Sequence, residues 1–163
     1  MTTTLKRFQY MDGFQLVGPA KNVVAMPAAA VAIAKGDLLM DDGNGYITNA
    51  GITTLADHRN LYVAIEPCAN SAGSVGDLDV LCVSIADSTN EYWVPVENDG
   101  VIERTDVGTL ADANSEDGIT VAADVTNTNN AFLIEGYDIS TAAIAANTYG
   151  YARGRFVPLG ETT

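Results

Sequence analysis

Oxygen donors first crowd together in this chain at Asp41-Asp42-Gly43-Asn44-Gly45. Asp42 to Thr48 matches the middle of an EF-hand calcium loop. In that frame Met40 is the first ligand position and Gly51 the twelfth, where the loop needs a carboxylate and a bidentate Glu. Both flanks are β-type, so the reading is a hairpin turn, with Gly and Asn supplying positive φ. His58, the single histidine, lies in the polar Ala56-Asp57-His58-Arg59 and reads as a surface residue. A Cys–His or Ser–His–Asp site would have to use it, and neither Cys68 nor Cys82 sits in an activating motif. One histidine also rules out a His-rich metal site. Asp77 and Asp79, beside Gly76, read as a solvated strand start rather than a glycosidase acid/base pair. Gly73-Ser74-Val75-Gly76 lacks the Lys and the helix of a phosphate loop. Trp93 has a face that suits a sugar ring, although a core or edge aromatic is the commoner role. No catalytic, cofactor or metal residue is assigned, and the chain is not read as an enzyme.

The elements around these residues are short and separated by turns. Ala29–Ala34, Leu38–Asp41, Tyr46–Thr48, Leu61–Glu66 and Glu91–Val96 read as strands, with Pro95 pushing the last towards an edge. Asp77 to Ala86 alternates Leu78, Val80 and Cys82 against Leu81, Val83 and Ile85. Both faces are apolar, which suggests a central strand with Cys82 as a small core residue. Further strands are expected near Asp106–Asp112, at Ile119–Val125 and at Ala131–Tyr137. A short helix is expected at Ile139–Asn147, capped by Ser140. The closing strand Tyr149–Val157 sets Tyr149, Tyr151, Arg153 and Arg155 on one face. No repeat long enough for a solenoid is evident. The whole reads as one all-β domain, a barrel or sandwich with at most short helices. Residues 1–27 lack this pattern but carry Phe8, Tyr10 and Phe14 within seven positions, and they read as an extended N-terminal arm ahead of a β-rich domain, 28–163. A first strand docked on its own domain is the alternative.

Charge narrows the partners. The formal net charge is −13, and every acid except Asp12 and Glu161 lies between Asp37 and Asp138. Binding to nucleic acid or to an anionic membrane surface is therefore not expected. Lys6, Arg7, Lys21 and Lys35 near one end, and Arg153 and Arg155 near the other, suggest that both ends face an acidic partner. There is no apolar signal segment and no run of membrane-spanning length, so the chain is expected to be made in a cytoplasm and left there.

Ala34-Lys35-Gly36-Asp37-Leu38-Leu39, Leu61-Tyr62-Val63-Ala64-Ile65-Glu66 and the succession Gly73…Gly76-Asp77…Val80 resemble the small capsid decoration (cement) proteins of tailed bacteriophages. The likeness covers about residues 28 to 86. It implies a compact β-barrel or β-tulip-like domain that trimerises at three-fold positions on the outer surface of the expanded head, with the major capsid protein and its own copies as partners. The chain would be made in the host cytoplasm and end on the virion. The family has no catalytic residues to carry over. Its arm orders on the shell, which would make Leu5, Lys6, Arg7, Phe8, Tyr10, Phe14 and Lys21 the capsid-binding residues. Another virion component, such as a head-fibre base or tail-tube subunit, or a carbohydrate-binding module using Tyr92 and Trp93, is the alternative.

Overall fold

The structure is a computed structural model, and it describes residues 13–50, 61–97, 101–113, 119–120, 131–139 and 149–157. The strands are β1 (Gln15–Leu16), β2 (Val24–Pro27), β3 (Ala32–Ile33), β4 (Leu38–Asp41), β5 (Ile47–Asn49), β6 (Leu61–Ala64), β7 (Cys68–Ala69), β8 (Asp79–Ser84), β9 (Tyr92–Pro95), β10 (Leu110–Ala113), β11 (Ile119–Thr120), β12 (Phe132–Asp138) and β13 (Tyr151–Phe156). A 3-10 turn at Arg104–Asp106 is the only helical element among the described residues. The all-β expectation holds. The expected helix at Ile139–Asn147, the loop around His58 and most of the expected strand Ile119–Val125 lie outside the described residues.

The strands make three antiparallel sheets. Sheet I runs β2-β8-β6-β4-β5, sheet II runs β1-β9-β13-β12-β10-β11, and β3 pairs with β7. Each sheet curls until the first and last of five successive strands meet at one parallel bridge, Ala28 after β2 to Ile47 of β5 in sheet I and Val96 after β9 to Ile119 of β11 in sheet II, where β1 lies outside β9. The parallel sense is forced. Five strands in alternating directions leave the first and fifth pointing the same way. With a single bridge at each seam, no closed barrel forms, and the barrel expectation is corrected to open, curled sheets. The β3–β7 pair was not foreseen, because two residues are too few to show alternation.

Local chemistry explains several elements. The Asp41 Oδ1 accepts from Gly43 N at 2.7 Å, and the Asp42 Oδ1 accepts from Asn44 N at 2.8 Å. The carboxylates of the β4–β5 turn thus cap their own backbone, as an Asx-type turn does, in line with the hairpin reading. Pro95 sits opposite Tyr151 of β13, and its nitrogen points to the side where β1 has already ended, so no ladder bond is lost. Asn70, buried at 1% exposure, sets its Nδ2 within hydrogen-bond distance of the Ala28, Ala29 and Ser74 carbonyls, at 3.3, 3.0 and 3.0 Å. It ties β7 to the strand that leaves β2.

Two cores result. The smaller gathers Ala28, Ile33, Leu39, Ile47, Ala64, Cys68, Val80 and Cys82 between sheet I and the β3–β7 pair. The larger joins Leu38, Leu61, Val63, Val83 and Ile85 of sheet I to Val94, Ala111, Phe132, Ile134, Ala152 and Phe156 of sheet II. The alternation of β8 is thus used on both faces, Val80 and Cys82 inward to one core and Val83 and Ile85 to the other.

Sheets I and II are one topology used twice. If five strands of each are named a to e in chain order (β2, β4, β5, β6, β8 and β9, β10, β11, β12, β13), both sheets read a-e-d-b-c. The registers also correspond. Val24 faces Cys82 as Tyr92 faces Gly154, Asp41 faces Ile47 as Ala113 faces Ile119, and Val63 faces Val83 as Leu133 faces Arg155. Outside the ladders, Gly36 N bonds Ala64 O at 2.8 Å and Gly108 N bonds Ile134 O at 2.7 Å. Ala29 N bonds Ile47 O as Glu97 N bonds Ile119 O, each at 2.8 Å. Gly36 and Gly108 hold φ of 92° and 88°, a conformation costly to any residue with a Cβ.

Candidate functional site

The expected arm is the first site to place. Leu5, Lys6, Arg7, Phe8 and Tyr10 lie outside the described residues. Phe14 does not project from the domain. It is 1% exposed, with its ring 5.1 Å from Phe156 and at 6.0 and 6.3 Å from Phe132 and Tyr92. Burying a Phe is favourable by about 2–3 kcal/mol, which holds Phe14 in the core and removes it from a set of surface contacts. Residues 15–16 pair with β9 and residues 24–27 with β8, so 13–27 belongs to the folded body, as in the docked-strand alternative. Lys21 is exposed, and its backbone is fixed by Asn90, whose Oδ1 accepts from Lys21 N and whose Nδ2 donates to Lys21 O, both at 3.1 Å.

The charged feature of the described surface is the outer face of sheet II. Arg153 and Arg155 stand on β13 and reach Glu91, just before β9, and Glu135 on β12. Arg153 Nη2 donates to Glu91 Oε2 at 2.7 Å and Arg153 Nε to the same oxygen at 3.1 Å. Arg155 Nη2 reaches Glu91 Oε1 at 3.1 Å and Glu135 Oε1 at 3.0 Å, and its Nη1 reaches the Ser88 carbonyl at 3.3 Å. The Arg153 hydrogen bond, helped by the charges of both arginines against some desolvation, holds the Glu91 carboxyl below the usual glutamate value of 4.5. Both C-terminal arginines are thus engaged within the chain. This corrects the expectation that they are held ready for an acidic partner.

Beside the network, Glu91, Trp93, Glu135, Gly136, Tyr137 and Arg153 line an open depression of about 470 Å³. Trp93 lies opposite Arg153 across β9 and β13. Tyr92, its companion in the sugar-binding alternative, is fully buried against Phe14 and Phe156. Burial raises its phenol pKa, and its hydroxyl has no partner among the described residues. Tyr92 is therefore a core residue, and only Trp93 of that pair remains as a surface candidate. The arginines' partners Glu91 and Glu135, and Tyr137 in the lining of the depression, were missed in the sequence. Only the alternation of Arg153 and Arg155 hinted at them, because the strands that carry their partners are distant in the chain.

Other chemistry is muted. Cys68 and Cys82 are both buried and free. Burial pushes the Cys82 thiol up to about 11. No group of three or more His, Cys, Asp or Glu among the described residues is placed to hold a metal ion. No helix among them is long and apolar enough to cross a membrane. No family model matches the chain, and no curated protein or solved structure matches it.

Proposed function

We propose that this chain is a structural virion protein, a decoration protein that binds the outer surface of an expanded phage head and stabilises the shell. The observation that carries this reading is where the family-like residues fall. Gly36-Asp37-Leu38-Leu39 begins β4, Leu61–Ala64 forms β6, and Gly76-Asp77 leads into β8. These are three adjacent strands of sheet I. The decoration domain is then of the β-tulip type, with curled sheets in place of a closed barrel. Trimers at three-fold positions would contact the major capsid protein, with Leu5, Lys6, Arg7 and the exposed Lys21 on the capsid side. A ligand that binds only the expanded shell stabilises it by mass action.

The test is co-sedimentation with empty shells before and after expansion. Retention by expanded shells to a fixed, saturable ratio supports the proposal, and equal recovery with and without shells contradicts it. Removal of residues 2–12 leaves Phe14 and β1 in place, so a folded truncation that no longer binds would locate the contact. A second reading rests on the Trp93–Tyr137–Arg153 depression, whose aromatic faces beside paired charges suit a sugar ring. Quenching of the single tryptophan by glycans would favour a carbohydrate-binding module.

A further inference from the structure

The tip of the β4–β5 turn carries a chemistry that no other described position shares. Asn44-Gly45 is the one Asn-Gly pair of the sequence. The backbone nitrogen that follows an Asn can attack the side chain at Cγ, and a Cβ on the following residue hinders that approach. The other described asparagines precede Val23, Ala50, Ser71 and Glu91, which all carry a Cβ. Their amides are also engaged. Asn22 donates to Asp87, Asn49 to the Ala32 carbonyl, Asn90 to the Lys21 carbonyl, and Asn70 lies against its three carbonyls.

The turn is tied at its base and open at its tip. Asp42 N donates to Tyr46 O at 2.8 Å, and Asp42 Oδ1 accepts from Asn44 N at 2.8 Å and from Tyr46 N at 3.2 Å. Asn44 and Gly45 are exposed, and a Cβ at Gly45 would meet nothing within 4 Å. The Asn44 side chain donates only within the turn, to the Asp42 carboxylate, so far as its described partners go. Asp41 Oδ1 holds Gly43 N at 2.7 Å but Gly45 N at 3.3 Å. The second distance is past the usual hydrogen-bond limit of about 3.2 Å. The nitrogen that would attack Asn44 is thus the most loosely held N–H of the turn.

Asp42-Gly43 in the same turn gives the contrast. There the attacking nitrogen, Gly43 N, is the most tightly held, and the group under attack is a carboxyl. The Asn44 N–H, with that of Tyr46 and against some desolvation, holds this carboxyl below the usual aspartate value of 3.8. It stays ionised near neutral pH, and a carboxylate resists nucleophiles.

We propose that Asn44 is a modification site, at which the folded chain deamidates spontaneously while Asp42 is spared. Gly45 N gives its proton to hydroxide and attacks Asn44 Cγ. The new C–N bond closes a five-membered succinimide, the Cγ–Nδ2 bond breaks, and Nδ2 takes a proton from water and leaves as ammonia. Water then opens the ring at one carbonyl or the other, giving aspartate or isoaspartate. Either product adds a negative charge beside Asp41 and Asp42. Isoaspartate also lengthens the main chain between β4 and β5, just ahead of Ile47, which makes the seam bridge to Ala28. The site is independent of the decoration reading.

The test uses full-length protein held at mildly alkaline pH, with circular dichroism to follow the fold. A matched sample is unfolded in guanidinium. Both are sampled over weeks by peptide mapping in a mass spectrometer and by enzymatic methylation of isoaspartate. Conversion of Asn44 is expected in the folded sample, ahead of Asn22, Asn49, Asn70 and Asn90, at a rate close to that of the unfolded sample. An Asn44 that stays intact in the folded sample overturns the proposal, whether or not it converts on unfolding. Asn44→Gln gives a second arm, because the longer side chain closes its larger ring far more slowly. Isoaspartate is expected to disappear from the peptide spanning the turn. Its persistence there would make Asp42 the source and overturn the assignment.

Discussion

Val83 and Arg155 hold the same place in two sheets of the same topology, yet one is buried in the large core and the other lies in an ion-pair network at the surface. The residue chemistry differs along the same face, where Val63 corresponds to Leu133, Ile65 to Glu135, Leu81 to Arg153, and Val23 to Glu91, although Leu81 and Val23 are themselves exposed. Sheet I packs the Val63, Ile65 and Val83 part of this face against sheet II, in the core that holds the aromatic cluster of Phe14, Tyr92, Phe132 and Phe156. Sheet II turns it to water. Backbone register is therefore indifferent to the chemistry it carries, and burial decides what each position must be. Units stacked in this way need a polar end to stop further stacking, as terminal repeats do in repeat proteins. The Glu91–Arg153–Arg155–Glu135 network gives sheet II such an end.

Exchanging residues between the sheets tests this contrast most severely. Val83→Arg places an unpaired charge in the large core and is expected to cost about 3–5 kcal/mol, enough to abolish a cooperative melt. Arg155→Val, the reverse exchange, is expected to change the urea-derived stability by about 1 kcal/mol or less, since exposed pairs contribute little. Comparable losses in both variants would show that the two faces are not distinguished by burial.

The inner faces give the next largest effect. Gly154 holds the place of Cys82, but a Cβ at Gly154 would overlap the Leu133 carbonyl oxygen and crowd the Phe132 ring. Gly154→Ala is expected to cost about 1–3 kcal/mol through overpacking, whereas Cys82→Ala should cost about 1 kcal/mol, and thermal melts would rank the two. Asn70 belongs to the β3–β7 cover over the small core of sheet I. Asn70→Ala leaves three carbonyls without that donor and should cost about 1–3 kcal/mol.

The smallest effect is that of pH. The Glu91 carboxyl is held below its ordinary value in the folded state, so its contribution is fully present above about 4.5, the unfolded value, and fades as pH falls through the folded value. The urea midpoint of the parent should therefore drop below pH 4.5 by slightly more than that of Glu91→Gln, a difference of about 1 kcal/mol or less. A parent and variant that respond identically to acid would remove the network from the stability of sheet II.

The strands were legible where a short apolar run or a period-two pattern met a turn signal. Leu38–Asp41 and the Asp42–Gly45 turn are examples, as is β8, whose two apolar faces announced burial on both sides. The duplication was not legible. The corresponding residues include Pro27 with Pro95, Gly36 with Gly108, Leu38 with Leu110 and Ile47 with Ile119, but most other pairs differ because one face is covered and the other is wet. Phe14 was misplaced for a related reason. A single aromatic in a short, irregular segment looks the same whether it plugs its own core or a neighbour's surface. The ion-pair network depends on residues brought together from β9, β12 and β13, and no local spacing reveals that.

A decoration role is tested most directly by the solution mass of the purified chain, measured by light scattering alone and with empty expanded capsids. The expected result is a self-associated species that loads onto capsids to a fixed, saturable ratio. A species that stays free at every capsid concentration would contradict the role and turn attention to the Trp93 depression.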